Sequence, residues 1–598
     1  MTAIPVPLTE TSHDPRTGDP VLTVAIAGPI EVDEAVRAAR VAAGSVCNTS
    51  PADRAGWLEA IADAVLARAD ELAEVADRET GLGRVRLDGE VLRCAAQLRF
   101  YAAVARDGGF LDVVIDRATQ AQPDLRRMRV PLGPVAVFGA SNFPFAFGSL
   151  GHDTASALAA GCSVVIKAHP AHLATHQLLL QIATGALAAA GAPQGTLSAV
   201  TGFAAGTELV LHPALRAVAF TGSQQAGLAL AGLSATRVVP IPVFAEMSTV
   251  NPVVVTIAAQ ARAAAIGAEC TTSFTMGMGQ FCTKPGLVLA PRGSAIAEEI
   301  VVSVQRQEPR GPLLTVAIAG AYAAGIDRLL LAGATMLTYV VEPGLGAAVS
   351  AVVLAADAEL LQPGSPLLEE CFGPVVVVVE YDDAAHRDSI LDRLQGCLVA
   401  TVMTEGPLDP ELPGLVSGLT ALAGRVVVDA WPTGVATTWA QHHSGPWPAT
   451  TAPAATSVGS GALDRFTRPV AYQGVVGPAL PVALRTENDW GLPRRLDGIL
   501  TRPDSAPAPP ASPPAPAGTR ARAVKSTVTA RSPRTTKSTG STKSTATAKT
   551  TGTAKSTRTA KRAGAAKGPR TTKSTGTAPG STAPDATDAT DGSAKDTP

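Results

Sequence analysis

Cys282 has the surroundings of a nucleophile. The segment GMGQFCTKPG (277–286) sets it in a glycine-rich loop with exposed backbone amides, two residues before Lys284. Thiolates react and thiols do not, and positive potential favours the thiolate. The competing reading is a buried structural thiol, and Cys47, Cys94, Cys162, Cys270 and Cys397 are read that way. Glu246 ends an apolar stretch in FAEMSTVNP (244–252). A carboxylate there serves as a general base when burial raises its pKa, or is simply a solvated strand end. Asn142 in FGASNFP (138–144) lies at a strand tip. Its amide can meet a developing oxyanion, or it can form a turn ahead of Phe-Pro. FTGSQQAG (220–227) opens a strand into a helix through Gly222 and Ser223. A helix N-terminus of this kind can face a phosphate. Glu370 in EECFGP (369–374) stands before a turn that also reads as an ordinary loop.

These residues need elements to carry them. Residues 31–107 show apolar positions at helical spacing with charges between, with Asp53 as a candidate cap and Gly81 as a stop. Residues 111–130 read as two polar strands around a turn at Gln122-Pro123-Asp124. From 133 onward short apolar runs (PVAVFGA, CSVVIKA, LSAVTG, AVAFTGS, PVVVTI) alternate with Ala-rich helical stretches. That alternation predicts an α/β fold, a mostly parallel sheet covered by helices, with ligands at the carboxyl ends of the strands. The fingerprint GxGxxG is absent: GLGRVR (81–86) and GMGQFC (277–282) each lack the last glycine. A dinucleotide would have to be held another way.

The near-neutral total, 49 basic against 51 acidic residues in 598, conceals a split chain. Residues 503–598 hold 16 Lys or Arg and 5 Asp, a charge of +11, which leaves −13 on 1–502. That tail has no Phe, Trp, Tyr, Leu, Ile or Met, so it cannot bury enough apolar surface to offset the entropy of ordering. It opens Pro-rich, then repeats Lys-Ser-Thr five times, and is expected to be a disordered appendage. Its charge suits non-specific contact with nucleic acid or another polyanion, or mere solubility. The apolar runs fall far short of the ~20 residues that span a bilayer. No signal peptide is visible. Seven thinly spread cysteines without a CxxC argue against a disulfide scaffold or a metal site and favour a reducing, cytoplasmic setting.

Taken together and in order, these segments resemble the aldehyde dehydrogenase superfamily over roughly residues 20–497. FGASNFPFAF resembles its oxyanion segment, VIKAHPAH the strand end with its cofactor lysine, and AFTGSQQAG its pyrophosphate turn. EMSTVNP resembles the general-base segment, GQFCTKPG the nucleophile segment, and ECFGPV the ribose-binding glutamate. SNFPFAFG, residues 151–172, the 424–451 block (GRVVVDAWPTGV to HHSGPWPATT) and RFTRPVAYQ (465–473) look like an NADP-preferring branch. That branch includes 2,5-dioxovalerate (α-ketoglutarate semialdehyde) dehydrogenases and a bacterial fatty aldehyde dehydrogenase.

The resemblance implies an aldehyde dehydrogenase-like fold. A Rossmann-like cofactor domain (1–112 and 132–247) stands beside an α/β catalytic domain (248–465), with oligomerisation strands (113–131 and 466–497) that make a homodimer or homotetramer. It implies that Cys282 adds to an aldehyde to give a thiohemiacetal, then a thioester. Asn142 and the Cys282 amide hold the oxyanion, and Glu246 activates the hydrolytic water. Lys167, Thr175, Gly222, Ser223, Gly227, Glu370 and Phe372 are the implied cofactor residues. NAD-preferring relatives carry Glu three residues after the lysine; here Pro170 stands there, with Thr175, His169 and His172 as nearby donors, so NADP is expected over NAD. Lys284, Asp429 and Trp431 depart from the family pattern: Lys284 is expected to act on Cys282 or an anionic substrate, and the other two at the substrate mouth. CoA-acylating relatives lack the Glu base, and Glu246 counts against that class.

Overall fold

The computed structural model describes residues 8–338 and 346–502. The expectations for the 503–598 tail lie outside the described residues. Two parallel sheets carry the site. The first has five strands in the order Leu197–Val200, Val164–Lys167, Val135–Phe138, Ala217–Gly222, Val243–Met247, all parallel. The earliest strand lies in the middle, so the chain winds first one way and then the other. The reversal falls between Val135–Phe138 and Ala217–Gly222, the crevice where doubly wound sheets take ligands.

Side-chain alternation explains why these strands read as unbroken apolar runs. Val135, Val137, Val164, Ile166, Ala217 and Ala219 pack on one face, beneath the helices Pro51–Ala67, Arg84–Asp107, His152–Ala160 and Leu173–Ala189. Ala136, Val165 and Val218 pack on the other, against Pro29–Val46 and Phe203–Leu211. Both faces are covered, so neither needs a polar stripe. The helical stretch after 50 is divided at Arg68 into Pro51–Ala67 and Ala69–Thr80. Its cap is Ser50, not Asp53: Ser50 Oγ accepts from the Asp53 N–H at 3.1 Å, and the Ser50 N–H donates to the Asp53 carboxylate at 3.0 Å. A reciprocal capping box needs the hydroxyl at the cap and the acid three residues later. Gly81 ends the second helix in the left-handed conformation, φ 62°.

The second sheet has seven strands, with Val375–Tyr381, Pro285–Pro291, Asn251–Val255, Cys397–Met403 and Ala423–Val428 consecutive and parallel. A third sheet orders Thr467–Gln473, Leu125–Pro131, Val113–Asp116, Arg494–Leu496 and Ile499–Thr501. Val113–Asp116 and Leu125–Pro131 are the expected antiparallel hairpin. Thr467–Gln473 pairs along its length with Leu125–Pro131, from Thr467 opposite Pro131 to Gln473 opposite Leu125. No described helix is long and apolar enough to cross a membrane.

Candidate active site

The nucleophile loop is built by close approach. Before it, Gly277, Met278 and Gly279 all take positive φ (55°, 55° and 67°). A Cβ on Gly279 would lie 2.2 Å from the Gly373 carbonyl oxygen, so only glycine lets this turn meet the Glu370-Cys-Phe-Gly loop. Past the turn, Asn251 holds the loop from the neighbouring strand. Its Nδ2 donates to the carbonyls of Cys282 (2.8 Å) and Lys284 (3.0 Å). Cys282 is left partly exposed, whereas Cys94, Cys162, Cys270, Cys371 and Cys397 are buried. Cys47, expected to be structural, is exposed. All seven are free thiols.

Glu246 ends the Val243–Met247 strand, 5% exposed. Its Oε1 lies 2.5 Å from His443 Nε2, and the same nitrogen is 3.5 Å from Cys282 Sγ. Glu246 Oε2 is buried with no protein donor among the described residues. Residues 443–451 are stitched to that strand: the Met247 N–H donates to the Ala449 carbonyl at 2.9 Å and the Thr451 N–H to the Ala245 carbonyl at 3.2 Å. Thr456 Oγ1 accepts from the His443 N–H at 2.8 Å. Burial works against an imidazolium here, but Glu246 and Cys282 outweigh it and raise the His443 pKa to about 10. A cation therefore sits between carboxylate and sulfur at neutral pH.

Asn142 lies in the loop after Val135–Phe138 and is 8% exposed. Its Nδ2 donates one N–H to the Gln280 carbonyl at 2.8 Å, inside the nucleophile loop, which leaves the second N–H of the amide for an oxyanion. Arg86 steadies its backbone, donating to the Asn142 carbonyl at 2.5 Å. Glu90 accepts from the N–H groups of Phe145 and Ala146, both at 3.1 Å. One helix, Arg84–Asp107, thus fixes the oxyanion loop.

The implied cofactor residues gather at the carboxyl ends of the first sheet. Lys167 ends its strand with no protein partner for its ammonium among the described residues; burial lowers its pKa, opposed by Glu10. Ser223 caps the helix Gln224–Ala235, its Oγ accepting from the Ala226 N–H at 3.3 Å. Gly227 passes under Met247, where a Cβ would meet Sδ at 2.6 Å, so glycine there serves helix–strand packing. The Gly222 carbonyl accepts from the Ser248 N–H at 3.2 Å. Ser248 in turn reaches Glu370. Burial pushes the Glu370 carboxyl up to about 7, with Lys284 and Ser248 pulling it down. Phe372 is half-buried in the same turn. A free ammonium and a helix N-terminus at the strand ends of the first sheet, with a carboxylate bonded to the following Ser248, suit a dinucleotide.

Other expected residues lie elsewhere. Thr175 is fully buried, and both its N–H (2.8 Å) and its hydroxyl (2.7 Å) are spent on Glu79, so it offers no free donor. His172 is 1% exposed, and burial holds it and His169 below the usual imidazole range. Lys284 is 3% exposed and donates to the Val375 carbonyl at 2.8 Å, beside Glu370 rather than at the sulfur. Asp429 accepts from Thr404 and Arg262, and Trp431 donates to Glu269 at 3.0 Å. Two residues of the site carried no expectation. His443 was visible only as half of a His-His pair in the 424–451 block, and Asn251 only as a member of a quoted segment.

A sequence profile described as Aldehyde dehydrogenase family matches residues 8–408. The chain is 43% identical over 507 residues to Alpha-ketoglutaric semialdehyde dehydrogenase 2 of Azospirillum brasilense, covering 81% of this chain and 95% of that one. It is 41% identical over 482 residues to the Alpha-ketoglutaric semialdehyde dehydrogenase of Acinetobacter baylyi, covering 79% and 92%. Among solved structures, an NAD-dependent aldehyde dehydrogenase from Sinorhizobium meliloti superposes with a TM-score of 0.68 at 24% identity, covering 79% of this chain and 93% of that one. An Escherichia coli NADP dependent enzyme gives 0.67 at 21%, covering 78% and 95%. With the fold, the profile match and two relatives above 40% identity in agreement, the chain belongs to the aldehyde dehydrogenase family.

Proposed function

We propose that this protein oxidises 2,5-dioxovalerate to 2-oxoglutarate with NADP. The observation that carries the reading is identity of 41–43% to two α-ketoglutaric semialdehyde dehydrogenases over about four-fifths of the chain. In this reading Cys282 attacks the aldehyde carbon, and the Asn142 amide and the Cys282 N–H receive the oxygen. The bound nicotinamide supplies the hydride acceptor. Glu246 takes a proton from the water that releases the acid, and its unpartnered Oε2 is placed for that water. His443 lies against the Glu246 carboxyl and faces the sulfur with positive charge.

Lys167, Gly222, Ser223, Gly227, Glu370 and Phe372 would hold the cofactor. NADP is favoured over NAD because Pro170 stands where a ribose-binding carboxylate would repel a 2′-phosphate, and Lys167 keeps a free ammonium. The three sheets suit a cofactor domain of 1–112 and 132–247, a catalytic domain of 248–465, and oligomerisation strands within 113–131 and 466–497. Thr467–Gln473 and Ala423–Val428 each stand at the edge of a sheet with one side unpaired among the described residues, which suits strand addition in a dimer or tetramer. A second reading, a medium- or long-chain aldehyde dehydrogenase, is favoured by the apolar cluster of Phe143, Phe147 and Phe281 beside the site.

Steady-state turnover with NADP⁺ and NAD⁺ and with 2,5-dioxovalerate, succinic semialdehyde and a long-chain aldehyde tests both. We expect the highest kcat/KM for 2,5-dioxovalerate with NADP⁺. A long-chain preference moves the substrate to the second reading, and an NAD⁺ preference overturns the cofactor assignment.

A further inference from the structure

Two arginines near the nucleophile have no ion-pair partner. Arg93 stands on the helix Arg84–Asp107, and Arg425 on the strand Ala423–Val428. Both are half-buried, and neither forms a salt bridge among the described residues. They grip one loop from two sides. Arg93 donates from Nη2 to the Val435 carbonyl at 2.8 Å. Arg425 donates to the Gly434 carbonyl at 3.0 Å and the Pro432 carbonyl at 2.6 Å. The same loop is tied to the residue after the nucleophile, the Gly434 N–H donating to Thr283 Oγ1 at 3.0 Å.

The aromatic surround is shared. The Arg93 guanidinium lies 5.7 Å from the centroids of both Phe143 and Phe147, and Phe143 packs edge-on against Phe281 at 4.9 Å. Arg93 Nη1 and Arg425 Nε have no protein acceptor among the described residues. Both guanidiniums interact electrostatically with the Cys282 sulfur, and Glu90 is the one carboxylate that acts on Arg93. Glu90 is itself committed to two backbone N–H groups and to Arg86 at 3.8 Å. Partly buried charges without a counterion are costly, and two of them on a loop tied to the nucleophile segment call for an anion. Neither element carries a residue assigned to the cofactor.

We infer that Arg93 and Arg425 anchor the remote carboxylate of an aldehyde acid, so that its aldehyde end reaches Cys282 while its chain lies along Phe143 and Phe147. The inference rests on the reading of the substrate as an oxo acid. It predicts recognition of any short aldehyde that ends in a carboxylate, by charge-assisted hydrogen bonds from two sides. It also accounts for an aromatic cluster that would otherwise suit an uncharged aldehyde.

The test is a ratio: kcat/KM for 2,5-dioxovalerate or succinic semialdehyde over kcat/KM for pentanal. It is measured in the full chain and in Arg93→Met, Arg425→Met and the two Lys variants. The wild-type ratio should exceed 1, and each Met variant should lower it roughly 10- to 100-fold, mainly through KM of the acid, the span of a lost charge-assisted hydrogen bond. The Lys variants should recover part of it, which separates lost charge from lost folding. If the ratio collapses but succinic semialdehyde is preferred to 2,5-dioxovalerate, the named substrate fails and the anchor stands. If 2,5-dioxovalerate is preferred and the ratio is unmoved in all variants, the anchor is overturned and the substrate reading stands. Equal losses for both aldehydes, with a shifted pH profile of iodoacetamide alkylation at Cys282, would assign the arginines to the thiolate and overturn the anchor. A wild-type ratio of 1 or below would overturn both readings.

Discussion

The site holds two buried carboxylate–cation pairs, and they are settled differently. Glu246 and His443 touch at 2.5 Å, with the imidazolium raised to about 10. Glu370 and Lys284 influence each other without forming a salt bridge, and each is displaced toward neutrality. Burial lifts Glu370 to about 7, and burial lowers Lys284. Contact geometry makes the difference. A close pair recovers in mutual attraction what it loses in hydration, and a looser pair does not. In the first pair His443 stays cationic through the neutral range, which suits chemistry. In the second pair Glu370 titrates there, which suits reversible binding.

The largest effects should fall on the first pair and its sulfur. Cys282→Ala should lower turnover by at least about 10⁴-fold, since the covalent route is lost. Glu246→Gln should cost about 10²–10⁴-fold in steady-state turnover while a stoichiometric burst of reduced cofactor survives, because the base acts after hydride loss. Rapid-mixing absorbance at the reduced-cofactor band distinguishes the two. Absence of the burst in Glu246→Gln would place Glu246 before the thioester, contrary to the assignment.

Next is His443. Its pKa is higher folded than unfolded, so its stabilisation is complete below about 6.5 and lost as pH rises through about 10. Melting temperature should therefore fall between pH 7 and 10, and His443→Gln should flatten that slope. The same variant should slow Cys282 alkylation by iodoacetamide near neutral pH by about tenfold, the loss of one facing charge. An unchanged slope and an unchanged rate would reduce the contact to packing.

Legibility followed the same divide. Strand stretches such as Val135–Phe138 and 217–220 announced themselves because both faces are covered and every position is apolar. Cys282, Glu246 and Asn142 stood out through the resemblance of their segments, in order, to those of the family; read alone, Glu246 is a solvated strand end and Asn142 a turn residue just as well. His443 was not, because it reaches Glu246 and Cys282 across 197 and 161 positions of chain, and only the pairing of residues 443–451 with the Val243–Met247 strand brings it there. Thr175 was read as a donor because it lies close after Lys167 in the sequence. The buried Glu79, 96 residues earlier, takes its hydroxyl, and no local pattern signals that. Lys284 was read by adjacency to Cys282, whereas the chain turns there, the Lys284 N–H donating to the Phe281 carbonyl at 3.0 Å, and the ammonium is spent on the Val375 carbonyl.

The second pair gives smaller effects in another pH window. Glu370 is higher folded (about 7) than in an unfolded chain (4.5), so the fold favours its protonated form and loses that contribution as pH rises between those values. Cofactor binding should run the other way, since only the ionised carboxylate accepts from both ribose hydroxyls. KM for NADP⁺ should rise several-fold from pH 8 to pH 6, and Glu370→Gln should remove the dependence. A flat profile in the wild type would take Glu370 out of ribose binding.

Lys284→Met should produce the smallest change in turnover and the most informative one. Lys284 pulls the Glu370 carboxyl down from where burial alone would put it. Removing the ammonium should therefore move the midpoint of the cofactor-KM profile above 7, while kcat at pH 8.5 stays within about threefold, because the ammonium is bound to the Val375 carbonyl and not to the sulfur. The rate of Cys282 alkylation should not change. If instead the midpoint holds at 7 and alkylation slows, the lysine acts on the nucleophile across the loop, and the two pairs are one electrostatic unit rather than two.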